Sequence, residues 1–128
     1  MSYYINKIIE MPFDETVEAV TKALSEQGFG ILTDIDIQAT LKKKLETDFR
    51  QYRILGACNP QFAHKALQVE DKIGVMLPCS VIIQDTPDGK VEVAAMDPAA
   101  AMESRSNPGL SEIARKVRDR LAAAIDDL

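Results

Sequence analysis

Tryptophan is absent from this chain, and three tyrosines and four phenylalanines are its whole aromatic complement. A core must therefore be built from Ile, Leu, Val, Met and Ala, and stacking platforms for single-stranded nucleic acid are in short supply. A basic excess is missing too: the formal charge is −5, and the only compact basic run is Lys42-Lys43-Lys44. On a helix those neighbours splay around the axis and form no stripe. An acidic chain is repelled by polyanions, so neither nucleic acid nor an anionic membrane is an expected partner. No apolar run approaches the ~20 residues that span a bilayer. Residues 1–7 show no basic start leading into an apolar stretch, so no secretory signal is expected and the cytoplasm is the default location. Gly-x-Ser-x-Gly, the phosphate-binding loop and Gly-x-Gly-x-x-Gly are all missing.

What is present suits a single folded domain over residues 1–128. Hydrophobic residues make up 46% and charged residues 27%, ordinary globular values that exclude wholesale disorder. A chain of this length buries roughly two thirds of its unfolded surface, enough for a core without staples. Two cysteines without a signal segment read as reduced thiols and not as a disulfide framework.

Hydrophobic spacing sets the expected elements. Residues 2–9 read as an opening strand. Phe13, Val17, Val20 and Leu24 follow at helical spacing, with Asp14 and Glu15 in the first turn and Gly28 just past the end. Ile31, Thr33, Ile35 and Ile37 alternate with Asp34 and Asp36, which predicts a half-buried strand over 30–37. A short helix through Leu41 and Leu45 is expected next, then a strand over 49–57. Asn59-Pro60 opens another short helix, with Asn as N-cap and Pro at the first helical position. Strands over 80–85 and 91–96 join across Thr86-Pro87-Asp88-Gly89, whose Asp-Gly pair is a strong hairpin signal. Glu92 and Asp97 are expected to face water. Asn107-Pro108 begins a final helix lined by Leu110, Ile113, Val117, Leu121 and Ile125.

These elements make an α+β, two-layer fold: one mainly antiparallel sheet with two long helices on one face, in the order β-α-β(4)-α, plus short helical insertions. Phe13, Val17, Leu24, Ile113, Val117 and Leu121 are the expected core contacts of the helices. The opposite sheet face would then be bare, with Tyr4, Ile8, Tyr52, Ile54 and Ile82 on it. A bare apolar face predicts a homodimer with two-fold symmetry.

Chemistry concentrates in Leu55-Gly56-Ala57-Cys58-Asn59-Pro60 and Leu77-Pro78-Cys79. Cys58 ends one strand and Cys79 leads into the next, so antiparallel pairing would bring both to one sheet edge. His64 lies about one turn into the intervening helix, and a thiol at that helix's N-terminus feels its positive end. Cys58, Cys79 and His64, with Asn59 beside them, are the candidate ligand-binding set. Two thiolates and an imidazole suit a soft metal such as Cu(I) or Zn²⁺; otherwise no cofactor is expected. The competing reading is structural, because free cysteine is among the most buried residue types.

In this order, Gly28-Phe29-Gly30-Ile31-Leu32 running into Asp34-Ile35-Asp36, the two cysteine segments, and Met96-Asp97-Pro98 resemble the uncharacterised family called domain of unknown function 302. The resemblance implies a β-α-β(4)-α arrangement grouped with TATA-box-binding-protein-like folds, and it brings no established activity. Ser80 stands where many relatives have Asn. Three functions stay open: a non-catalytic domain binding a small ligand, thiol species or soft metal; a cysteine enzyme using Cys58 with His64 as base; and a structural or adaptor dimerisation module. The missing third orienting group tells against the enzyme.

Overall fold

Five strands make one antiparallel sheet in the order β1-β5-β4-β3-β2 in a computed structural model that describes residues 2–102 and 107–128. β1 spans Tyr4–Ile9, and α1, Phe13–Glu26, carries the chain to the far edge, where β2, Gly30–Asp36, begins. Then come α2 (Ile37–Leu45), β3 (Tyr52–Cys58), α3 (Pro60–Val69), a 3₁₀ turn over Ile73–Met76, β4 (Cys79–Asp85) and β5 (Val91–Met96). α4 (Pro98–Met102) and α5 (Pro108–Asp126) close the fold. The α+β class, the β-α-β(4)-α order and the short insertions follow the sequence reading. The 3₁₀ turn and α4 were not expected from it.

Helix ends form where the chain has the chemistry for them. Gly28 takes φ +87°, and the amide of Phe29 bonds the Leu24 carbonyl just past α1. Asn107 caps α5, accepting from the Leu110 amide at 3.3 Å. At the other end of α5, the Lys7 ammonium donates to the Leu128 carbonyl at 2.6 Å and the Asp126 carbonyl at 3.2 Å, a cation against the negative helix end. The hairpin between β4 and β5 turns through Gly89, at φ +80°, whose amide bonds the Thr86 carbonyl.

Alternation along the central strands sorts the two sheet faces. Val81, Ile83, Val93 and Ala95 are fully buried beneath α1 and α5, where they meet Phe13, Leu24, Val117 and Leu121. Val17 and Ile113 pack on this cluster from its rim, so the expected helix-face core is the observed one. A second, smaller cluster of Ala66, Ile73, Met102, Leu110 and Ala114 lies where α3, the 3₁₀ turn, α4 and α5 converge.

β2 departs from its expected half-burial, since only Ile31 is shielded even in part. It is an edge strand, and its register against β3 shifts between Ile31 and Thr33. Such a bulge turns the residues after it onto the other face, so Ile31 points to the helices while Thr33 and Ile35 do not. Asp34 thereby stands on the helix side in a bidentate pair with Arg53, which holds its carboxyl below the usual carboxylate range. Asp97 also departs from expectation. It is buried, with Oδ1 accepting from the amides of Ala99 and Ala100 at 2.9 and 3.2 Å. Its Oδ2 accepts from Arg118 Nε at 3.0 Å. The carboxylate caps α4 and ties it to α5.

Candidate functional site

Ala57 pairs with Cys79 across β3 and β4, and Cys58 follows Ala57 at the end of β3. Both cysteines are free thiols; Cys79 is buried and Cys58 half-buried. They line one small cavity, of about 40 Å³, between the sheet, α3 and α5. Phe62, Ala63 and Ala66 wall it from α3, and Ile113, Ala114 and Val117 from α5. The alanines create the space: three methyl side chains stand where larger ones would fill it.

The lining is almost wholly apolar, which sets the electrostatics. Burial pushes the Cys79 thiol up to about 11, and the charge of a Cys58 thiolate adds to that rise. Cys79 is therefore a neutral thiol at physiological pH, and the two sulfurs lie within electrostatic reach of each other. A raised pKa makes a resting Cys79 a poor nucleophile.

Backbone geometry beneath the site depends on two glycines. A Cβ on Gly56 would land on Thr33 Oγ1 and within 2.8 Å of Pro78 Cγ. Only glycine lets β2 and the Leu77-Pro78 segment close over β3 at this level. Gly28 is held by its left-handed φ of +87°, and a Cβ there would also crowd Asn59 Nδ2 at 3.0 Å.

Asn59 stands at the N-cap of α3, as expected, but its side chain makes no cap bond there. It turns instead to the end of α1, where Nδ2 donates to the Gln27 carbonyl at 3.4 Å. Arg120 donates to the same carbonyl, also at 3.4 Å. That bond to an end-of-helix carbonyl sets the side-chain orientation, and Oδ1 makes no bond to the α3 amides. Asn59 thus joins α1 to the mouth of the cavity.

His64 does not join the thiols. Helical spacing of roughly 100° per residue turns Phe62, Ala63 and Ala66 toward the cavity and leaves His64 on the far side of α3, where it is exposed. The expected three-ligand set of Cys58, Cys79 and His64 is not assembled. Among the described residues no group of three His, Cys, Asp or Glu side chains could hold a metal ion. Sequence reasoning also missed the helical wall of the cavity. Its only signal was the small residues Ala63, Ala66 and Ala114 on otherwise bulky helix faces.

Among solved structures, the chain is similar to an uncharacterised conserved protein of the DUF302 family from Bacillus stearothermophilus. The two are 28% identical, each is covered over 98% of its length, and the TM-score is 0.91. No curated protein matches. The family match extends over residues 5–128, nearly the whole chain and both cysteine segments. The chain belongs to the family described as "Domain of unknown function DUF302".

Proposed function

We propose that this protein is a non-catalytic binding domain that takes a small thiophilic ligand, a soft metal ion foremost, between Cys58 and Cys79. The single observation carrying the reading is that the two free cysteines line one narrow apolar cavity. Two soft donors without a third or fourth ligand suit Cu(I) better than Zn²⁺, which takes four. The cavity has room for an ion or a ligand of a few heavy atoms. Binding would displace the Cys79 proton, so affinity should rise with pH and each binding event should release protons. Reduced thiols of this kind suit the cytoplasm. The β-α-β(4)-α order supports the grouping with TATA-box-binding-protein-like folds, a likeness of architecture that carries no nucleic-acid function.

An enzyme using Cys58 with His64 as base is not favoured, because His64 lies across α3 from the cavity. The test is an anaerobic Cu(I) titration in competition with a chromophoric Cu(I) chelator. The expected result is one equivalent bound, with Cys58→Ser and Cys79→Ser each weakening it by more than about tenfold. A wild-type protein that fails to compete would leave both cysteines as packing residues.

A further inference from the structure

Among the described residues, the face of the sheet away from α1 and α5 is largely open. Tyr4 and Ile8 of β1 and Ile35 of β2 remain 42%, 48% and 46% exposed there. Between them runs a depression over Ser80, Ile82 and Ala94, bordered by Tyr4 and Tyr52. Two charged groups mark this face. Arg50 enters just before β3, its guanidinium carbon 4.3 Å from the Phe49 ring centroid and 5.5 Å from that of Tyr52. Glu92 stands on β5. Among the described residues neither forms an ion pair within the chain.

Gln84 lies midway between them. Its Oε1 accepts from Arg50 Nε at 2.9 Å, and its Nε2 donates to Glu92 Oε1 at 2.8 Å. Asn6 Nδ2 donates to the other carboxylate oxygen at 2.8 Å. The amides hold the carboxylate in place without neutralising it. A half-buried carboxylate at one end of the Gln84 amide and a guanidinium at the other, neither with an ion-pair partner among the described residues, are complementary to a second copy turned by a two-fold rotation.

The strand register carries the match further. Tyr52, Gln84 and Glu92 form one row across β3, β4 and β5, and Ile54, Ile82 and Ala94 form the next on the same face. A two-fold axis running along β4, between two stacked sheets, lays β3 of one copy over β5 of the other. Tyr52 then lies over the partner copy's position 92, and the Arg50 guanidinium, held beside that ring by Gln84, reaches the partner copy's carboxylate there. Each Ile54 meets the small residue at position 94, and the Ile82 side chains meet at the axis. Plus opposes minus beside the first row, and large opposes small at the flanks of the second.

We propose that this face is the interface of a homodimer in which two sheets pack face to face about an axis over β4, with Arg50 of each copy paired to Glu92 of the other. Aligned sheet packing of this kind is a common solution for bare antiparallel faces. The dimer is independent of the cysteine cavity, which lies on the helix side of the sheet.

The test measures mass by light scattering with size-exclusion chromatography at micromolar concentration. Wild-type protein should run at twice the chain mass. Arg50→Glu and Glu92→Arg should each weaken the dimer by at least about tenfold, because each sets like charges opposite one another. An equimolar mixture of the two variants should recover the dimer, since one copy then offers two carboxylates and the other two cations. Ala94→Glu, which fills the gap opposite Ile54, should give a monomer with unchanged circular dichroism. A wild-type monomer overturns the proposal. So does a dimer indifferent to Ala94→Glu, or charge variants whose mixture stays monomeric, since the contact would then lie elsewhere.

Discussion

Cys79 sits directly opposite Ala57 in the β3–β4 ladder, one residue from Cys58, and so two thiols 21 positions apart in sequence share one cavity. Neither strand alone makes the site. The antiparallel register does, together with α3, which leaves the end of β3 immediately after Cys58 and folds back over it.

Burial of Cys79 makes alkaline stability depend on it. Its folded pKa, about 11, lies above the ordinary thiol value of 9.0. A raised folded pKa means that the unfolded chain gives up this proton first as pH climbs. The contribution is therefore intact below pH 9 and is lost between about 9 and 11. The loss should approach ~1.4 kcal/mol per pH unit within that window. Urea denaturation of wild type and Cys79→Ala at pH 8 and pH 10.5 checks this: the gap between the two proteins should narrow or reverse at the higher pH. A gap that does not change with pH would mean that Cys79 titrates normally.

The helix-face core should be sensitive to truncation. Leu121 is fully buried in the main cluster. Leu121→Ala removes transfer energy and leaves a cavity, at a cost of about 2–5 kcal/mol. Chemical denaturation measures it, and a change under ~0.5 kcal/mol would fit a surface position instead.

Gly56 should tolerate no side chain. Gly56→Ala drives a methyl into Thr33 and Pro78, and overpacking of that kind costs about 1–3 kcal/mol. The double variant Gly56→Ala/Thr33→Ala should recover part of the loss by clearing the nearer obstacle. Full wild-type stability of the single variant would show that Thr33 and Pro78 do not close on the strand.

Asp97 should matter as a buried cap. Asp97→Ala frees two amides of α4 and removes the nearer of Arg118's two carboxylates, which should cost about 1–3 kcal/mol. Asp97→Asn, which keeps an oxygen for the amides, should cost less. Equal losses in thermal or urea unfolding would assign the whole effect to the ion pair.

Most of the secondary structure was legible in the sequence because its signals are local. Phe13 to Leu24 and Leu110 to Ile125 repeat at helical spacing, Gly28 and Asn107 mark helix ends, and Asp88-Gly89 marks the hairpin; each needs only its near neighbours to act. The antiparallel sheet, its two helices on one face and the bare opposite face followed from that order, and Cys58 and Cys79 could be placed at one edge. What only tertiary structure decided depends on competition between distant groups. The Gln27 carbonyl draws Asn59 away from its own helix, Arg118 draws Asp97 out of water, and a bulge opposite Gly56 turns β2 over after Ile31. The phase of α3 aims Phe62 and Ala66, and not His64, at the thiols, because Phe62 packs on the main core and Ala66 in the second cluster, and together they set the rotation of the whole helix. Sequence states which groups are available; the packing of elements far apart in the chain determines which of them meet.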